Sequence, residues 1–315
     1  MRTFFLAAML AAISVFSTAG VADTAGAPRQ PDLPREIIIN GVEFVLVPEG
    51  WFWYAVENGE REKAVQKGKP WFRDVKVWLD SYYIAKYEAR ARDLKRFLDS
   101  RDVKHRTEYG SGETKGCAVR RNEAGEYYLT EPERDLPATH LSWNLADEFT
   151  RWMGFRMPTE AEWVKAARGT DRRLWPWGDE YPDDTYAGFR AFGGCTPAPV
   201  TSFSNGKSPY GAYNMAGNVF EYVADWYNEQ FDLDIKDGDR NPVPAATGTL
   251  TEGIPRPVKI LKGGRWASSA SFIHVYARTT MRPDENFRCF GVRFAVDVET
   301  ARTHLENGTA TIVEP

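Results

Sequence analysis

The chain has 315 residues, with 40 Lys and Arg against 44 Asp and Glu, a formal charge of −4, and 43% hydrophobic residues. This composition excludes a disordered chain, and the slightly acidic balance offers no basic footprint for nucleic acid. Three cysteines exclude a disulfide-stapled miniprotein, while 14% aromatic residues, 11 of them Trp, suit a loop-rich fold whose irregular core is filled by large flat side chains.

In chain order, Arg2, the 13-residue apolar run Phe4 to Phe16 and an A-x-A-like site ending near Ala22 predict a cleaved signal peptide over residues 1–22. The run is too short to span a bilayer, and no later stretch reaches the roughly 18 apolar residues of a transmembrane helix. The expectation is an exported protein, periplasmic in a Gram-negative cell. Residues 23–35 form a Pro-rich lead-in.

Glu36 to Pro48 reads as a β-hairpin around Asn40-Gly41. Val75 to Tyr83 alternates like a strand, and Ala89 to Ser100 places Leu94, Phe97 and Leu98 at helical spacing. Arg106 to Glu133 is polar and predicts a long excursion with a local hairpin. Ser142 caps a helix over Trp143 to Met153, with Gly154 beyond its end. Thr159 and Glu162 form a capping box for the next helix. Beyond Arg168 the pattern shows short strands and turns, then a polar tail over residues 299–315. Two or three helices in irregular β-structure give one α+β domain over residues 36–298.

Cys117, Cys195 and Cys289 show no CxxC spacing, which supports neither zinc nor thioredoxin-type redox chemistry. An oxidising compartment allows one disulfide among three alternative pairs. The sequence leaves the pair, and the oligomeric state, open.

Four strings stand in a telling order: Gly154 to Gly169 (GFRMPTEAEWVKAARG), Trp175 to Glu180 (WPWGDE), Tyr213 to Trp226 (YNMAGNVFEYVADW), and Lys262 to Trp266 (KGGRW) with Phe290 to Phe294 (FGVRF). Together they resemble the formylglycine-generating-enzyme, or sulfatase-modifying-factor, family. Its members typically read G-x-R-L-P-T-E-A-E-W-E-x-A-A-R-G, PWG, N/D-M-A-G-N-V-W-E-W, R-G-G-S-W and G-F-R. The resemblance implies a single compact α+β domain related to C-type lectins and low in regular secondary structure.

It also implies a structural calcium ion held by Asn214, Glu221 and the carbonyls of Gly217 and Val219, a hard oxygen set. The plain structural alternative is a turn capped by Asn214 with Glu221 in a salt bridge. A second calcium site of the family lacks its carboxamide and carboxylate ligands here, around Tyr186 to Gly194.

The family's copper enzymes carry two cysteines shortly after the Gly-Gly-Ser segment. This chain has no cysteine between Cys195 and Cys289, and a hydroxyl such as Ser268 does not replace a thiolate on Cu(I). No copper and no sulfatase-activating activity are therefore expected. The iron-dependent sulfoxide synthases of the same fold draw their histidines largely from an extra domain. With only His105, His140, His274 and His304, the chain does not match them.

An exported branch of the family, acting in periplasmic pyoverdine maturation, is the better parallel. It implies oxidation of a dihydroquinoline-type siderophore precursor, a small-molecule or peptide-derived substrate. On that reading Glu285 is the first candidate base and His274 the second, with Asp284 and Arg288 nearby. Trp266, Ser268, Arg278 and Arg282 would contact substrate, the arginines holding an acidic group. The competing expectation is a non-catalytic periplasmic binding or assembly module on the same fold, which needs aromatic and Arg contacts but no tuned acid or base. On the plain structural reading Trp266, Phe272 and Tyr276 are core rather than a stacking platform.

Overall fold

The computed structural model describes residues 33–57, 72–101, 118–189, 196–244 and 257–313. The expected signal peptide, most of the expected lead-in, His105, Cys117 and Cys195 lie outside the described residues. Strands β1 (Glu36–Ile39) and β2 (Val42–Val47) form the expected hairpin. Asn40 and Gly41 both take positive φ, the turn geometry that matches strand twist. β3 (Gly50–Glu57) and β4 (Phe72–Leu79) pair as a long two-stranded ribbon. The strand expected over Val75 to Tyr83 is two strands, because the chain turns at Asp80-Ser81 before β5 (Tyr82–Ala85).

Helix α1 (Ala91–Ser100) buries Leu94, Phe97 and Leu98. The polar excursion contains the small hairpin β6 (Arg120–Arg121) and β7 (Tyr127–Tyr128). In α2 (Trp143–Trp152) the Ser142 hydroxyl accepts from the Leu145 amide, and Gly154 follows with φ 84°. In α3 (Glu160–Arg168) both halves of the capping box form.

Later elements are β8 (Phe220–Trp226), α4 (Glu229–Asp234), β9 (Lys259–Lys262), β10 (Arg278–Met281), β11 (Phe290–Val292), β12 (Ala295–Asp297), α5 (Val298–Glu306) and β13 (Ala310–Ile312). One sheet runs β12-β5-β2-β1-β13 and a second runs β10-β9-β8-β11, with β8 and β11 parallel.

The expected polar tail is corrected by this topology. Ala301 is fully buried, Val298 and Leu305 pack beside it, and β13 pairs with β1 in the sheet. Three apolar positions at helical spacing anchor α5, although polar residues dominate its composition.

From Pro34 onward the chain clusters as one unit with mixed helix and strand, the expected α+β domain. One apolar cluster, around Phe44, Tyr83, Phe149 and Phe294, packs α1 and α2 on the five-stranded sheet. Another lies under α3, which packs on β3, β8 and β9. Among the described residues no helix is long and apolar enough to cross a membrane.

Candidate functional site

The motif residues of α3 serve chiefly as architecture. The Arg168 guanidinium donates to the carbonyls of Trp53, Arg172 and Arg173 and to Asp74. Glu160, 2% exposed, accepts from the Tyr54 hydroxyl and from the Lys262 ammonium at 3.1 Å. Arg278 lies 3.1 Å from Glu160 and 2.7 Å from Asp232. Burial alone would raise the Glu160 carboxyl, but Arg278 and Lys262 overcome it and hold it below the usual range.

The turn before β8 is a second buried polar cluster. Gly217 takes φ 79°, and a Cβ there would meet the Gly188 carbonyl at 2.3 Å, so only glycine fits. The Glu221 carboxylate is fully buried and forms a two-point ion pair with Arg293, at 2.5 and 2.9 Å, while Trp163 Nε1 donates to it at 2.6 Å. Glu88 is a partner the sequence reading missed. Asn214 and Asn218 donate to its carboxylate at 2.9 and 2.8 Å, and burial pushes it up to about 7.

The cluster thus holds two carboxyl groups and one guanidinium, with Glu88 shifted toward its neutral form. Asn214 Oδ1 is buried without a hydrogen-bond partner, an orphaned oxygen of the kind a hard cation takes. The carbonyls of Gly217 and Val219 are likewise oxygens that calcium takes, while both Glu221 oxygens are held by Arg293 and Trp163, the salt bridge of the structural alternative.

The groove with a ligand-sized volume near the expected reactive segment encloses about 470 Å³, between β8, β10, β11 and the loop after β9. Phe220, Phe272, Phe287 and Phe290 wall it, and Arg265, Ser268 and Cys289 supply polar atoms. Gly264 takes φ 77°, and a Cβ there would stand 2.6 Å from the Phe272 carbonyl, so this loop folds tightly back on itself. The Ser268 hydroxyl accepts from the Arg265 amide at 3.1 Å, and the Ser268 amide donates to the Arg265 carbonyl at 2.8 Å. Cys289 is a free thiol, pushed up by burial despite the Arg265 guanidinium 3.4 Å away.

Of the anticipated substrate contacts, Ser268 lines the groove. Trp266 is 3% exposed and belongs to the core, its ring nitrogen buried without a partner. Arg278 is corrected to a structural residue, because its side chain is 5% exposed and committed to Glu160 and Asp232. Arg282 is exposed and pairs with Glu285 and Asp284.

Glu285 sits at a surface turn two residues before the groove residue Phe287, 38% exposed and paired with Arg282; its carbonyl accepts from the Tyr222 hydroxyl, and the residue does not line the groove. His274 is buried and stacked on Tyr276 with ring centroids 3.9 Å apart. Burial, then the Lys262 charge, lowers it to about 4, so its imidazole is neutral at pH 7. It does not line the groove. Phe272, expected in the core on the plain structural reading, is half exposed and forms part of the wall.

The sequence reading also missed Arg265 and Cys289. Arg265 had a visible signal, since it stands where the resembling motif carries serine.

Comparison with known proteins places these observations in a family. The curated relatives include the formylglycine-generating enzyme of Thermomonospora curvata, 35% identical over 51% of this chain and 55% of that protein. They also include hercynine oxygenase of Mycobacterium tuberculosis, 34% identical over 52% of this chain and 37% of that protein. The matches thus span about half or less of those relatives' length.

Among solved structures, PvdO from Pseudomonas aeruginosa superposes with a TM-score of 0.60 at 20% identity, covering 85% of this chain and all of PvdO. Treponema denticola variable protein 1 superposes at 0.59 with 19% identity, covering 85% of this chain and all of that one. These likenesses concern the fold. The family model of the sulfatase-modifying factor enzyme 1-like domain matches residues 30–298, and the chain belongs to that family.

Proposed function

We propose that the chain is an exported maturation factor of this family that oxidises a small aromatic or peptide-derived substrate, of the dihydroquinoline siderophore-precursor type, rather than a copper-dependent sulfatase activator. The observation that carries the reading is the groove of about 470 Å³ walled by four phenylalanines at the Ser268 loop. Its size and aromatic lining suit a flat ring system.

Desaturating such a ring removes two hydrogens: a base takes one proton from carbon or nitrogen, while the second proton and two electrons pass to an external acceptor such as dioxygen, which is reduced to hydrogen peroxide. Glu285, at the surface turn two residues before the groove residue Phe287, is the first candidate for that base, and the buried His274 is the second. Glu285→Gln keeps shape and hydrogen bonding but deletes the proton acceptor. Turnover of a dihydroquinoline-type precursor should fall by roughly a hundredfold or more, with substrate affinity largely retained. Normal turnover by the variant removes Glu285 from the mechanism.

One observation favours a second reading, a non-catalytic binding module. Among the described residues that line the groove there is no carboxylate and no imidazole. On that reading no precursor is consumed by the wild type, while its binding persists.

Calcium belongs to the same proposal as a structural ion, with Asn214, Glu221 and the carbonyls of Gly217 and Val219 holding it. An ion that binds only the folded state stabilises by mass action. Protein purified without chelator should contain about one equivalent of calcium, and EGTA should lower its melting temperature. Metal-free protein with a melting temperature indifferent to EGTA and to added calcium would remove the site.

A further inference from the structure

The groove holds a cation that the fold leaves without a carboxylate. Arg278 and Arg293 are buried against Asp232, Glu160 and Glu221, and Arg282 pairs with Glu285 and Asp284. Arg265 differs. Its side chain touches the Cys289 sulfur, 3.4 Å from Nη1, and lies 5.7 Å from the Phe287 ring centroid. No carboxylate pairs with it among the described residues. The protonated thiol is a weak acceptor, so most of the five guanidinium donors are left to solvent or to a ligand.

The surroundings make that cation selective. The Ser268 turn fixes the Arg265 backbone at both ends, which lowers the entropy lost when the guanidinium binds. Phe272 and Phe287 are 50% and 47% exposed at the groove, apolar surface that a flat ligand would cover. A planar fork facing an aromatic slot matches a planar ring bearing a carboxylate, since that pairing is two-pronged and charge-assisted.

We propose that Arg265 is the specificity residue of the groove, selecting flat aromatic ligands that carry a carboxylate or an equally acidic oxygen. The inference rests on reading the groove as the ligand site, and it names what enters rather than what reacts. The anion-holding role expected of Arg278 passes to a residue that the fold leaves available for it.

The test uses two molecules of one shape, 2-naphthoate and its neutral isostere 2-naphthamide, titrated by NMR into the full chain. Wild type should bind the anion roughly tenfold to a hundredfold more tightly than the amide. Arg265→Gln should abolish that preference while leaving amide binding nearly unchanged, and Arg265→Lys should keep part of it. Unchanged melting temperatures check that the variants are folded. Equal binding of the two molecules by wild type, or a preference that survives Arg265→Gln, overturns the proposal. Because the readout is binding, a protein that selects the anion yet consumes no precursor sinks the catalytic reading and leaves this one standing.

Discussion

Arg293→Met should lower stability by about 3–5 kcal/mol, the loss typical when one partner of a buried ion pair is deleted. Arg293 and Glu221 are both fully buried, and the guanidinium also donates to the carbonyls of Ala85 and Tyr213. It is therefore the bolt between β5, the Asn214 turn and β8. Its loss leaves the buried Glu221 carboxylate without its guanidinium, with the Trp163 ring N–H still donating to it, and desolvation of a charge that has lost its ion-pair partner is the dominant cost. Urea unfolding measures the effect. The double variant Glu221→Gln/Arg293→Met should recover part of the loss, because it removes the stranded charge as well. A single variant within about 1 kcal/mol of wild type would show that the pair contributes no more than a surface ion pair.

Glu160→Ala comes next, with an expected loss of about 3–5 kcal/mol on the same ground. It leaves the Lys262 ammonium and the Tyr54 hydroxyl without their acceptor and takes one of two carboxylates from Arg278. The network also has a pH signature. The Glu160 carboxyl is held below its ordinary 4.5, so the stability it contributes is present above that value and is lost as pH falls below it. Acid unfolding curves should show a shallower dependence for Glu160→Gln than for wild type between about pH 5 and 3. Parallel slopes would mean that Glu160 titrates alike in the folded and unfolded chain.

Much of the frame was legible because local rules and tertiary demands agree. Asn40-Gly41, Ser142, and Thr159 with Glu162 each do in the fold what their side chains favour in isolation. The site was less legible, because its polar residues are sorted by burial rather than by type. Arg265, Arg278 and Arg282 are alike as letters, yet one lines the groove, one is locked in the core and one is paired at the surface. Glu88 could not be linked to Asn214 from sequence, since the two stand 126 positions apart and meet only when β5 and the turn before β8 are packed. The α5 helix was hidden for the opposite reason, its few apolar anchors being outnumbered by solvent-facing polar residues.

The arrangement β12-β5-β2-β1-β13 sets the order in which this protein becomes itself. Ile84 pairs with Ala295 and Ile37 with Ile312, so both flanks of the sheet are joined by residues more than two hundred positions apart. Loop closure on that scale must precede the contacts that reward it, which makes folding slow for the protein's size. The hairpin of β1 and β2 can form as soon as it emerges from the ribosome, but the sheet is complete only once β12 and β13 have been made. Until then its apolar faces stay uncovered, and such exposed surface is prone to aggregation.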